Sequence, residues 1–233
     1  MRIAYRNVTL RDGRTTIIEH VDQVIEPESI TGFYGARDSA KTALMLAAAG
    51  LFQIASGTIV LGDITVNTSP KQARKLIGLA ASPTVNPLLS HLSVEDNMHV
   101  QARSLHVFHA KQAIDELLQR FQLSSIRKED VDNLSEFMIA KVGLAMALLG
   151  NPPCIFVDEP ERRLMTEETD AIMDSLLALK QEGKTVLITT CRRELLTHCD
   201  RFITIPYKDQ GVTQHESIAT NLSGTQTTSA GSI

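Results

Sequence analysis

Apolar and polar positions alternate from Ile3 to Leu10, Gly13 marks a turn, and β-branched residues continue from Thr15 to Ile25. This pattern predicts two opening strands. Ser29 to Tyr34 reads as a short strand that runs into Gly35. From Ala40 to Phe52 the chain is rich in Ala and Leu and predicts a helix. Gly57 and Gly62 bracket a strand over Thr58 to Leu61, and Lys75 to Ala80 reads as another. The middle of the chain is helical: one helix is expected over Val94 to Leu105. Ala110, Ala113, Ile114, Leu117, Leu118 and Phe121 recur at helix spacing and predict an amphipathic helix over His109 to Gln122. Asn133 and Ser135 offer caps for a third helix through Leu149, stopped by Gly150-Asn151-Pro152. The last third alternates, with strands at Cys154 to Asp158, Thr185 to Thr190 and Arg201 to Tyr207, and a helix over Thr169 to Glu182. Continuous apolar strands separated by helices predict a parallel sheet covered on both faces, an α/β fold. Lys208 to Ile233 is Ser, Thr, Gly and Gln with little to bury, and is expected to be a mostly disordered tail.

Composition narrows the function classes. The chain has 233 residues, with 43% hydrophobic and 21% charged. That is ordinary globular usage, enough for a sizeable core in one large domain or two small ones. A net charge of -4 gives no basic stripe for a nucleic-acid backbone, so no nucleic-acid partner is expected. Cys154, Cys191 and Cys199 cannot all pair and none has zinc-finger spacing, which points to a reducing, cytoplasmic compartment. Leu44 to Phe52, the longest apolar stretch, is far short of the roughly 20 residues of a membrane span. Arg2-Ile3-Ala4-Tyr5 shows no signal-peptide pattern.

Two motifs carry chemistry. Gly35-Ala36-Arg37-Asp38-Ser39-Ala40-Lys41-Thr42 follows a strand and opens a helix, the setting of a phosphate loop. Such a loop aims backbone N–H groups and a helix N-terminus at phosphate. Lys41 would reach the β- and γ-phosphates and Thr42 would ligate magnesium, with Ala43 following in the first turn. Ala40 stands where the motif has glycine, and Asp38 sets a carboxylate near the phosphates. At about 6 Å and an effective dielectric of 20 the repulsion is roughly 3 kcal/mol per charge pair. The second motif is Ile155-Phe156-Val157-Asp158-Glu159-Pro160, an apolar strand ending in two acids at the edge of a parallel sheet where ligands bind. Asp158 would hold magnesium through water, and Glu159 would act as general base on the attacking water.

From Met1 to about Tyr207 the sequence resembles the ATP-binding cassette (ABC) family of nucleotide-binding subunits. The resemblance rests on Ile30 to Gly35, Gly50-Leu51-Phe52 through Gly62-Asp63, Leu76-Ile77-Gly78 and His91 to Asn97. It is strongest from Leu134-Ser135 through Gly143 to Pro153 and on into Asp158-Glu159-Pro160, whose spacing is similar to cassettes of antibiotic, drug or peptide exporters. It implies a P-loop NTPase core over 1–207, with an antiparallel β subdomain and a helical subdomain at about 84–150. It also implies ATP and magnesium as ligands, a head-to-tail dimer with a second cassette (identical or different), and a separate transmembrane permease at the cytoplasmic face. Against the family pattern, the signature loop reads Leu134-Ser135-Glu136-Phe137-Met138 and lacks both glycines. The usual Gln aligns with Ser82, the switch His with Cys191, an Asp with Met165, and the adenine-stacking aromatic with Arg11 or Asp12. Two functions follow from the resemblance. One is an ATP-binding subunit coupling binding, and possible hydrolysis, to transport. The other is a non-hydrolysing structural or regulatory cassette paired with a competent one.

Overall fold

The computed structural model describes residues 1–37, 39–81 and 85–206, together with the backbone of 220–222. Its elements in chain order begin with β1 (Ile3–Asp12), β2 (Thr15–Ile25), β3 (Ile30–Tyr34), α1 (Lys41–Ala48), β4 (Ile54–Leu61) and β5 (Ile64–Thr65). There follow α2 (Pro70–Lys75), β6 (Ile77–Leu79), α3 (Val94–Ser104), α4 (Ala110–Arg120), α5 (Glu136–Ala147) and β7 (Cys154–Asp158). The last are α6 (Thr166–Gln181), β8 (Thr185–Thr190), β9 (Arg201–Thr204) and β10 (Thr220–Leu222). One antiparallel sheet has the order β2-β1-β4-β5. A second has the order β10-β9-β3-β8-β7-β6, parallel except for β10, which runs antiparallel to β9. Apart from β10, the expected disordered tail lies outside the described residues.

The unbroken apolar runs have a direct cause. Every residue of β7 and β8 is buried, because both faces of the parallel sheet are covered. Ile155, Val157, Val186 and Ile188 join one core with Met98, Leu118, Val142 and Leu176. Phe156 and Leu187 point the other way, into a core with Phe33, Met45, Leu10 and Val21. Tyr5 ties the antiparallel sheet to α1: its ring packs edge-on to Phe33 at 5.9 Å and its hydroxyl donates to the Leu44 carbonyl at 3.2 Å.

Several boundaries differ from the sequence expectation. The helix expected over Ala40 to Phe52 stops at Ala48, and the chain re-enters an extended conformation at Ile54, where it pairs with Leu10. Gly57 therefore lies inside β4 rather than before it. Lys75 belongs to α2, which starts at Pro70; Pro at the first helical position, after Ser69, is the signal that was available. α6 begins at Thr166, three residues early, because the Glu168 carboxylate accepts the Met165 amide at 3.0 Å. In β1 the register shifts between Tyr5 and Val8, with Asn7 at φ 49, so both apolar side chains are buried despite their odd spacing.

The helices between β6 and β7 are held partly by charge. Ser93 caps α3, accepting the Asp96 amide at 3.1 Å. The neighbouring Glu95, 9% exposed, lies 2.7 Å from the Arg127 guanidinium and 2.6 Å from the Lys128 ammonium. Hydrogen bonds from Arg127 first, then Lys128, hold its carboxyl down from 4.5 to about 2. A carboxyl whose native pKa is depressed stabilises the fold fully above its unfolded value and loses that contribution as pH falls toward the native one. Stability is thus expected to decline between pH 4.5 and 2, and Glu95→Gln to remove that part of the decline. Urea midpoints measured across this range check it; parallel curves for the two proteins would overturn it.

Candidate functional site

The phosphate loop grows out of β3. The Gly35 amide donates to the Thr190 carbonyl at 3.2 Å, fixing the loop to the end of β8. A Cβ at Gly35 would lie 2.5 Å from the Ile205 carbonyl oxygen, so only glycine passes there. The Ser39 amide closes on the Ala36 carbonyl at 3.2 Å, and α1 starts at Lys41. Asp38 lies outside the described residues. Ala40 has φ -69 and ψ 9, a conformation that suits any L-residue, so its methyl brings no backbone strain. It offers no side-chain cap either. Among the described residues, no N-cap side chain covers the first-turn amides of Lys41, Thr42 and Ala43 at the positive end of α1.

Lys41 is only 2% exposed. Its ammonium donates to the carbonyls of Gly35 (3.1 Å) and Ala36 (2.6 Å) and lies 3.3 Å from the Ser39 hydroxyl. The charge is thus held inside the loop, while Ala36 and Arg37 on its rim are exposed. A buried cation beside an uncapped helix N-terminus is a receptor for an anion.

The acidic strand end comes to the same helix. Asp158, 5% exposed, accepts hydrogen bonds at one oxygen from the Thr42 and Thr189 hydroxyls, each at 2.7 Å. Thr42 and Asp158 are 116 positions apart in the chain. Together they form a hard oxygen pair of the kind magnesium takes. Glu159 turns out of the strand with φ 47, and its amide reaches the Thr189 carbonyl (3.1 Å) and hydroxyl (3.0 Å). Its carboxylate lies 3.8 Å from the Arg162 guanidinium.

The remaining candidates have other partners. Ser135 caps α5, accepting the Met138 amide at 3.3 Å. Glu136 pairs with Arg163 of the same chain at 2.9 Å. Cys191 is half-buried, and its amide donates to Glu161 at 3.2 Å. Ser82 lies outside the described residues, and Arg11 and Asp12 are exposed at the β1–β2 turn. Three residues that organise the site were not singled out from the sequence: Thr189, Thr190 and Glu161, exposed by 0%, 0% and 3%. Two adjacent threonines at the end of a fully buried strand were the available signal, since buried hydroxyls demand partners.

The ABC transporter family model matches residues 18–162, from β2 through the phosphate loop to the residues just after Glu159. The chain belongs to the ABC transporter family. Among its relatives, the lantibiotic transport ATP-binding protein SrtF of Streptococcus pyogenes is 26% identical over 211 residues, covering 91% of this chain and 89% of SrtF. The sulfate/thiosulfate import ATP-binding protein CysA of Mycobacterium bovis is 30% identical over 203 residues, covering 85% of this chain and 57% of CysA. A relative named for export, the Nod factor export ATP-binding protein I of Cupriavidus metallidurans (29% identical over 187 residues, 79% of this chain and 61% of that one), stands beside CysA, named for import. The dimeric structure of a bacterial ABC transporter cassette superposes with a TM-score of 0.78 at 22% identity, over 87% of this chain and 94% of that one. At that identity the likeness speaks for the ABC fold. Among the described residues, no helix of this ABC protein is long and apolar enough to cross a membrane.

Proposed function

We propose that this ABC protein binds Mg-ATP and passes the free energy of binding to a separate transmembrane subunit, working as one half of a cassette pair at the cytoplasmic face of the membrane. The observation that carries the reading is the convergence on α1 of a buried ammonium, a helix N-terminus and the Thr42–Asp158 pair. Gly35, Ala36, Arg37, Ser39, Ala40 and Ala43, with Asp38 assigned from the sequence, would line the phosphate site, and Lys41 would supply the charge. Thr42 and Asp158 would hold magnesium, which when bound screens the phosphate oxygens and orients them. Glu159 is assigned as the base that takes a proton from water. The net charge of -4 supports a partner other than nucleic acid.

Two observations favour a cassette in which binding outweighs turnover. Cys191 offers only a thiol where the family has its switch histidine, and that thiol already lies 3.8 Å from Glu161. Glu136 puts a carboxylate, paired with Arg163, at the start of α5, where a negative partner at the helix N-terminus is disfavoured. Losing one transition-state contact lowers a rate by about 10²–10³-fold. We therefore expect the wild type to bind Mg-ATP yet release phosphate within about tenfold of Glu159→Gln, the working cassette being the partner. Nucleotide titration and phosphate release on both proteins test this. A wild-type rate more than about a hundredfold above the variant would establish a competent ATPase instead.

A further inference from the structure

Glu161 is a buried carboxylate for which nucleotide binding has no use. One of its oxygens accepts the Thr190 hydroxyl at 2.6 Å and the Cys191 amide at 3.2 Å, with the Cys191 thiol at 3.8 Å. Among the described residues the other oxygen is buried with no hydrogen-bond partner. A buried carboxylate oxygen without a protein partner is costly and calls for an explanation. The loop that carries it is left-handed on both sides, at Glu159 (φ 47) and Arg163 (φ 61), neither of them glycine. The loop is thus strained at its ends and tied at its centre, and the tie runs to the end of β8.

That end of β8 also meets the phosphate loop. Thr190 gives its hydroxyl to Glu161 and its carbonyl to the Gly35 amide. Its hydroxyl further accepts the Arg192 amide at 3.0 Å. One residue therefore touches the start of the phosphate loop, the acidic loop and the segment after β8.

We propose that Glu161 is a positioning residue that makes the segment around Cys191 and the acidic loop respond together to what occupies the phosphate loop. Its bonded oxygen is the tie. Its second, buried oxygen keeps the tie poised, because a shift that brings a protein donor within reach gains a hydrogen bond. The nucleotide half of this inference rests on the ATP-binding reading above; the tie itself does not.

Hydrogen–deuterium exchange on the full chain separates the two. Peptides covering 35–43, 159–166 and 189–194 are followed without nucleotide, with Mg-ADP and with Mg-ATPγS, for wild type, Glu161→Gln and Glu161→Ala. In wild type, nucleotide should slow exchange in all three. In Glu161→Ala, 189–194 should exchange about tenfold faster and stop responding to nucleotide, while 35–43 still responds; tenfold corresponds to one ordinary hydrogen bond. Glu161→Gln, which keeps an oxygen acceptor, should restore the joint response. If Glu161→Ala responds in all three peptides as wild type does, the positioning role is overturned. If wild type shows no protection at 35–43, the ATP-binding reading fails. The tie is then judged from nucleotide-free exchange of 189–194 alone: faster in Ala but not in Gln supports it, and equal rates overturn it. Should Glu161→Ala not fold, Thr190→Val removes the shortest donor at nearly constant volume and is expected to give the same loss of response.

Discussion

Replacing Lys41 by alanine is expected to weaken Mg-ATP binding by at least about a hundredfold, because the ammonium proposed to meet the phosphates disappears. The ammonium is held where a phosphate would be received: buried, against the Gly35 and Ala36 carbonyls, beside the first turn of α1. In that enclosed setting its charge is weakly screened, so its loss is felt more than that of a surface lysine. The substitution also leaves two carbonyls of the loop without their donor, so part of the loss arises from a loosened loop. Lys41→Arg separates the contributions, since it keeps the charge while its planar fork misfits a site shaped for a compact ammonium. Titration with a fluorescent nucleotide, beside a melting curve for each variant, reads both. Binding within about fivefold of wild type for Lys41→Ala, with the fold intact, would remove Lys41 from the proposed site.

The second large effect is on stability. Gly78→Ala should lower it by about 3 kcal/mol, at the upper end of the range for overpacking. Gly78 sits in β6, and a Cβ there would fall 1.9 Å from the Ala147 carbonyl oxygen and 2.8 Å from Pro152. The first obstacle is backbone at the end of α5, and it cannot swing aside as a side chain would. Either β6 leaves β7, to which Gly78 is registered opposite Ile155, or α5 is pushed from the core. For a chain of this size the melting point should fall by roughly 6–12 °C. A shift below about 2 °C would mean that the close approach of strand and helix is dispensable.

Much of the scaffold was legible before any coordinates. The apolar runs of β7 and β8 announced a doubly covered parallel sheet, and the strand–loop–helix around Lys41 is formed as read. What escaped was what depends on distant partners. Glu161 reads as one of several charges after Pro160, and only the fold brings it under Thr190. Cys191 reads as a lost histidine, yet its amide has a defined task. The Asn7 irregularity hid the inward face of β1, because the shift in register breaks the period of two on which pattern reading relies. The resemblance named the family, and relatives named for export and for import both stand among its matches.

The paired threonines of β8 have a consequence for how this sequence can drift. Side chains along a strand alternate in direction, so Thr189 serves Asp158 while Thr190 serves Glu161. Loss of a single residue upstream in β8 would move Thr190 into the place of Thr189 and Cys191 into the place of Thr190, leaving Glu161 with a thiol in place of its hydroxyl donor. Ala40, Glu136 and Cys191, where the resemblance finds departures from the family pattern, all lie outside that frame. The strand is in effect a ruler of fixed length, and changes of spelling are open to this site where changes of length are closed.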